Sequence, residues 1–328
     1  MKIELSGTGT NITFQSPDNE RILYAGLKSS PELPYECATG TCGSCKAKCI
    51  EGSFEWAWSE APARKNLKNA DELLMCQCIA TSNLKLEVKS KLVKSALPFS
   101  SATWMDGKIK SFKNLAPGVM SLSIKLQHEI CFLPGQFMVI EFSDVQGGRA
   151  WSMTNFVPGL TDCVDFVIKM KPGGELSNFL FDSHGLDKLL DQSVRVFGPI
   201  GKAVFDENIS RDLVCIAGGT GIASMMSILE AFFKKKKSTN SASLFFGVRT
   251  QEDVFFIDEL THLVRDSAGS IRVVIAFSDK AGIGDLYIAE ADNSGMSGLS
   301  KPDNFSGICE QIKITSFDNW AREMGIGK

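Results

Sequence analysis

The sequence predicts a multidomain chain: a small mixed β domain with one helix, an antiparallel β-barrel, and a doubly wound α/β unit. Three observations point to it. Short alternating strands fill residues 1–92 around a cysteine-rich loop, and further short strands follow at regular spacing from Trp104. From Asp212 continuous apolar runs alternate with helical segments. The 328 residues are 44% hydrophobic and 22% charged, ample core material for two or three domains.

In order, Lys2 to Leu5 and Asn11 to Gln15 alternate in polarity around Ser6-Gly7-Thr8-Gly9, a β-hairpin. Pro17-Asp18-Asn19 offers an N-cap for a short helix over Glu20 to Lys28. Lys46 to Ile50, Glu55 to Trp58 and the alternating Leu84 to Val88 read as strands. Lys91 to Ser101 lacks periodicity and reads as a linker, so the expected spans are 1–92, a linker over 93–102, 103–208 and 209–328. Gly107 to Ile109, Met120 to Leu126, Phe137 to Phe142 and Cys163 to Met170 supply barrel strands, with a short helix over Ser177 to Phe181. Leu213 to Ala217 reads as a strand buried on both faces. Helices over Ile222 to Phe233 and Asp253 to Arg265 separate it from strands at Leu244 to Phe246 and Val273 to Phe277. Lys234 to Lys237 reads as a solvated last turn that complements the helix dipole.

Net charge is −3, which points away from a nucleic-acid partner, and no apolar run nears the roughly 20 residues a membrane span needs. Three scattered histidines argue against a His-based metal site and against His-driven acid–base catalysis. No catalytic side chain is therefore assigned, and the chemistry is expected to belong to bound cofactors.

Cys37, Cys42 and Cys45 stand as C-x4-C-x2-C in a small-residue loop, and Cys76 returns later. That is the plant-type spacing for a [2Fe–2S] cluster, with Gly40 and Gly43 permitting the sharp turns. Zinc fits less well, because its usual pattern is two C-x2-C knuckles and the second pair here is Cys76-Gln77-Cys78. The N-terminus has no apolar signal-peptide core, so a cytoplasmic protein with reduced thiols is expected. Cys49, Cys78, Cys131, Cys163, Cys215 and Cys309 read as buried or half-buried thiols.

Gly218-Gly219-Thr220-Gly221 lies between a strand and a helix, where glycines let a backbone approach a pyrophosphate. A tight strand–helix turn is the plain alternative. Arg149-Ala150-Trp151-Ser152 places Arg149 and Trp151 on one strand face, a fork for phosphate and a ring for stacking, although a strand tryptophan is more often simply packed. Gly173-Gly174-Glu175-Leu176-Ser177 opens a short helix and can present N–H groups and a hydroxyl to phosphates, or can be an ordinary turn.

The order of these motifs resembles the ferredoxin–flavin reductase components of bacterial multicomponent oxygenases. The likeness is greatest to the reductases of toluene and phenol monooxygenases and of ring-hydroxylating dioxygenases, in the ferredoxin–NADP reductase superfamily. It runs from about residue 20 to 280, through Pro34-Tyr35-Glu36-Cys37, Cys76-Gln77-Cys78, Leu133-Pro134-Gly135-Gln136-Phe137, Arg149 to Met153 and Lys171-Pro172-Gly173-Gly174. Phe197-Gly198-Pro199-Ile200-Gly201, Ala217 to Ala223 and Phe246-Gly247-Val248-Arg249 complete it. The resemblance implies a β-grasp [2Fe–2S] ferredoxin domain, an FAD-binding barrel and an NADH-binding domain. By position, it implies Arg149 at the flavin phosphates, Trp151 against the isoalloxazine in place of the family's tyrosine, and Ser152 near flavin N5. Gly173, Gly174 and Ser177 would meet the pyrophosphate, and Gly218, Gly219, Thr220 and Gly221 the nicotinamide nucleotide.

The implied activity is electron transfer from NADH through FAD and the cluster to an oxygenase or its ferredoxin, docking near Ala38 to Ser44. Two other readings remain: a reductase feeding a deoxysugar dehydrase, and an electron carrier with an impaired NADH site. The second arises because the family's Tyr-Leu-Cys-Gly-Pro-Pro-x-Met motif is matched only by Leu286 to Met296, with Ala289 in place of the cysteine and a short connection from Phe277. Cys309 is either a substitute or a buried thiol, and Ile312 to Trp320 resembles the family's last strand.

Overall fold

The structure is a computed structural model that describes residues 1–29, 33–92, 102–181, 189–208, 210–234, 240–278 and 312–316. Residues 93–101 of the expected linker, Lys235 to Lys237, Leu286 to Met296 with Ala289, Cys309 and the segment after Ser316 lie outside that description.

The first domain holds strands β1 (Lys2–Thr8), β2 (Asn11–Gln15), β3 (Lys46–Glu51), β4 (Phe54–Trp56), β5 (Glu72–Leu74), β6 (Cys78–Ala80) and β7 (Leu84–Lys91), with helix α1 (Ile22–Leu27). Its main sheet has the order β2-β1-β7-β3-β5, and β4 pairs with β6 apart from it. β1 and β2 form the expected hairpin, while β1 and β7 run parallel. All six residues of α1 are buried, because the helix lies between this sheet and the barrel. The expected Asp18 or Asn19 cap does not form. Asn19 turns at φ +61°, and Arg21 holds the cap position with no side-chain bond.

The second domain comprises β8 (Thr103–Ala116), β9 (Val119–Ile130), β10 (Phe137–Phe142), β11 (Arg149–Ser152), β12 (Thr161–Lys169), α2 (Glu175–Phe181) and β13 (Ser193–Ile200). Its antiparallel sheet runs β11-β10-β13-β8-β9-β12. A bridge from Met153 to Phe166 brings the two end strands together, so the sheet curls on itself. Asn155 strengthens this seam, donating to the Cys163 carbonyl and accepting from the Asp165 N–H, each at 3.0 Å. Alternate residues fill the interior, among them Met120, Leu122, Ile124, Met138, Ile140 and Phe166. The other face of β10 carries Val139, which with Phe197 and Ile200 joins the core of the first domain.

The third domain is a parallel sheet, β14 (Leu213–Gly218), β15 (Ala242–Val248), β16 (Ile271–Phe277) and β17 (Ile312–Ser316), in that order, with helices α3 (Ile222–Lys234) and α4 (Ile257–Asp266). A capped turn over Gln251–Asp253 delays the second helix beyond its expected start. Both helices pack over the face formed by Cys215, Leu244, Val273 and their neighbours. Winding in one direction puts successive crossovers on one side. This corrects the expectation of two-faced burial at Leu213 to Ala217: β14 is an edge strand, and its Val214 and Ile216 are 57% and 51% exposed. Cys131 is also exposed, not buried, since it follows the end of β9.

Candidate functional site

Helix α1 and the starts of β3 and β6 hold the cysteine loop. Leu23 N–H donates to the Met75 carbonyl at 2.9 Å and Met75 N–H to the Cys45 carbonyl at 3.1 Å, pinning the distant cysteine strand against the loop. Gly40 and Gly43 take φ of +81° and +82°, the left-handed turns that glycine admits most readily. The N–H groups of Thr39 and Cys42 point at the Cys37 sulfur, and that of Ser44 at the Cys42 sulfur, all at 3.4 Å. The Cys45 and Cys76 sulfurs are 3.2 Å apart and are not disulfide-linked. Among the described residues no three of His, Cys, Asp and Glu converge on one point. A [2Fe–2S] group needs only two thiolates at each iron, and the Cys45–Cys76 pair with the Cys37–Cys42 pair suits it.

Burial pushes the Cys37 thiol up, but bonds from the Thr41 hydroxyl and the Thr39 and Cys42 N–H groups more than offset it and bring its pKa to about 6. Contact with Cys76 holds Cys45 low, and the same contact drives Cys76 up. Cys78 is pushed up to about 12 by burial, as suits an inert thiol beside the loop. Ala38, Thr39 and Gly40 are buried, so the accessible rim is narrower than expected and consists of Thr41, Cys42 and Ser44 with half-buried Gly43.

The seam between loop and barrel is aromatic. Tyr24 of α1 lies 4.7 Å from Phe197 and 5.3 Å from Trp104. Tyr35, two residues before Cys37, accepts a hydrogen bond from the Gly201 N–H at 2.9 Å. Arg21 pairs with Glu141 of β10 at 2.8 Å, and both are largely shielded. The sequence named Tyr35 and Phe197 only as motif members; the pairing of Arg21, Tyr24 and Trp104 across domains leaves no sequence signal.

On β11, Arg149 lies opposite Ile140, Trp151 opposite Met138 and Ser152 opposite Phe137. Arg149 and Trp151 therefore share a face, while Ser152 lies on the face of Phe137, whose ring meets Tyr35 at 6.4 Å. Trp151 is half-buried against Phe142 and Phe166, and the Arg149 guanidinium donates to the carbonyls of Gln146, Gly147 and Gly148 at 3.2–3.3 Å. Ser177 is buried and accepts from the Lys171 N–H at 2.8 Å, so its hydroxyl shapes the turn. Gly173, at φ +71°, faces open space.

A cavity of about 320 Å³ lies at the carboxyl ends of β14 and β15. Gly218, Gly219 and Thr220 line it, as do Arg249, Asp253 and Phe255, and the barrel contributes Val119 and Lys169. A Cβ on Gly218, Gly219 or Gly221 would meet no atom within 4 Å, so packing does not demand glycine there and the space suits a ligand. Gly221 itself closes the turn without lining the cavity. Sequence reasoning missed Asp253 and Phe255; Arg249 ended the Phe246 to Arg249 motif, the one available signal.

A cysteine loop docked on a curled barrel, with a glycine-lined crevice between that barrel and an α/β domain, defines an iron–sulfur flavin reductase. Family models match in the same order: the 2Fe-2S iron-sulfur cluster binding domain over residues 6–81, the oxidoreductase FAD-binding domain over 106–205 and the oxidoreductase NAD-binding domain over 215–289. The chain belongs to the ferredoxin–NAD(P)+ reductase family. It is 31% identical over 271 residues to the ferredoxin–NAD(+) reductase component of the alkene monooxygenase system of Xanthobacter autotrophicus, spanning 81% of this chain and 78% of that protein. It is 27% identical over 278 residues to the xylene/toluene monooxygenase electron transfer component XylA of Pseudomonas putida, spanning 84% and 76%. Among solved structures, the ferredoxin reductase in carbazole 1,9a-dioxygenase aligns with a TM-score of 0.70 at 28% identity, covering 87% of this chain and 82% of that one.

Proposed function

We propose that the chain is the reductase component of an oxygenase system, taking electrons from NADH and delivering them to the oxygenase or to its ferredoxin. FAD would accept a hydride and release single electrons to the [2Fe–2S] group, which is the chemistry the cofactors supply when bound. The observation that carries this reading is the position of the nucleotide crevice. Its walls come from the α/β domain and from barrel strands β9 and β12, so a dinucleotide there would be presented to the flavin domain.

Cys37, Cys42, Cys45 and Cys76 would hold the cluster. Arg149, once turned from its own loop carbonyls, would grip the flavin phosphates, Trp151 would offer a ring face, and Ser152 would face the ferredoxin side near N5. Gly173, Gly174 and Ser177 would shape the pyrophosphate turn. Gly218, Gly219, Thr220 and Gly221 would admit the nicotinamide nucleotide. The partner would dock on the rim of Thr41, Cys42 and Ser44, a small and transient contact. The spans 1–92, 103–208 and 209–328, joined through the linker 93–102, are the proposed domains, and the cytoplasm the proposed location. Among the described residues no helix is long and apolar enough to cross a membrane.

The test is the visible spectrum of the purified protein before and after NADH. Flavin bands over a broad iron–sulfur shoulder, bleached by NADH, are expected; a colourless protein overturns the reading. Cys76→Ser should abolish cytochrome c reduction and spare ferricyanide reduction at the flavin. Equal loss of both would show that the domains are not wired in this order.

A further inference from the structure

Gln77 follows Cys76 and is 2% exposed. Its Cγ, Cδ and Nε2 lie 2.8, 3.1 and 3.1 Å from the point a Cβ on Gly40 would occupy. The Gly40 N–H in turn favours the Cys76 thiolate. The carboxamide therefore packs with its nitrogen against the cysteine loop. Its oxygen, Oε1, is buried and finds no donor among the described residues. A buried carbonyl oxygen without a donor is unfavourable, so the benefit that holds the group there lies at its other end. That end lies beside Gly40, in the loop that carries Cys37, Cys42 and Cys45.

The backbone donors to sulfur that flank the loop, Thr39, Cys42 and Ser44, all serve Cys37 or Cys42. The buried pair has backbone N–H groups favouring its thiolates, Gly40 at Cys76 and Cys45 and Cys76 at Cys45, and the Gln77 amide lies beside Gly40. We propose that the Gln77 side-chain N–H donates to a sulfur of the cluster or of its Cys45–Cys76 ligands and so raises the cluster's reduction potential. Reduction adds negative charge, and a fixed donor stabilises the more negative state. Gln77 is a positioning and tuning residue in this role, and the inference rests on the four cysteines holding a [2Fe–2S] group.

The test is an EPR-monitored redox titration of the full-length holoprotein and of Gln77→Met, which keeps the side-chain volume and removes the donor. The variant should keep the iron–sulfur spectrum, with its midpoint lower by about 59 mV, a tenfold change for a one-electron couple. An unchanged midpoint with an intact spectrum overturns the proposal. A wild-type protein with no iron–sulfur spectrum overturns the cluster reading instead. Should Gln77→Met fail to fold, wild-type protein labelled with ¹⁵N only at glutamine side-chain amides and reduced with dithionite decides the matter. Pulsed EPR should then show a ¹⁵N coupling to the cluster, and its absence overturns the proposal.

Discussion

The Tyr24 hydroxyl donates a 3.0 Å hydrogen bond to the Ala38 carbonyl, next to Cys37, while the Tyr24 ring packs on Phe197 of the barrel. One side chain thus touches both the cluster loop and the flavin domain. Ala38 sits at φ +57°, a conformation that a non-glycine residue adopts at some cost and that neighbouring contacts must hold. Tyr24→Phe should keep the packing but leave the Ala38 carbonyl without its donor. A loss of about 1–3 kcal/mol is expected in urea denaturation followed by cluster absorbance. Phe197→Ala should remove about 3–5 kcal/mol, because it opens a cavity in the core shared by two domains.

Helix α3 grips a single barrel residue from both sides. Glu230 accepts from the Phe156 N–H at 3.1 Å, and Lys234 donates to the Phe156 carbonyl at 2.8 Å, so the expected solvated turn at Lys234 is instead a domain clamp. Burial raises the Glu230 carboxyl above its ordinary 4.5 and outweighs the opposing pull of Lys234 and the Phe156 N–H. The folded state then holds this proton more tightly than the unfolded chain. Stability from this group should fall as pH rises from 4.5 towards the raised value, and Glu230→Gln should lack that decline. Thermal unfolding of both proteins across that range checks it.

Cys37 should be the most readily alkylated of the four proposed cluster cysteines once the cluster is removed. Its pKa near 6 leaves it a thiolate at neutral pH, whereas contact with Cys45 holds Cys76 protonated. Iodoacetamide labelling of cluster-free protein should rise through about pH 6 at Cys37. In Thr41→Val that rise should move to higher pH, because the hydroxyl donor is gone. An unshifted profile would assign the lowered pKa to the backbone N–H groups alone.

Gly218→Ala should leave the fold intact and weaken nucleotide binding. Gly218 has φ −113°, open to any residue, and its added methyl would meet no protein atom within 4 Å. The methyl would occupy the crevice instead. An NADH Kd raised about tenfold, equivalent to about 1.4 kcal/mol, with an unchanged melting temperature is the expected outcome. A lowered melting temperature with unchanged affinity would return the glycines to a turn-forming role.

The cysteine loop, the barrel strand carrying Arg149 to Ser152 and the glycine turn before α3 were legible in the chain. Each is a local pattern, in which spacing or alternation within a few residues carries the chemistry. Partners brought together from afar were not. Tyr35 meets Gly201 across 166 positions and Arg21 meets Glu141 across 120, and no local periodicity encodes such a pairing. The run Leu213 to Ala217 shows the same limit. Its apolar residues announced a buried strand, yet whether Val214 and Ile216 are covered depends on the strand's place at the sheet edge and on the face α3 and α4 select. Gln77 lies between these cases: its neighbour Cys76 is written in the motif, but only the tertiary structure brings its carboxamide against Gly40 and leaves its buried oxygen without a donor among the described residues.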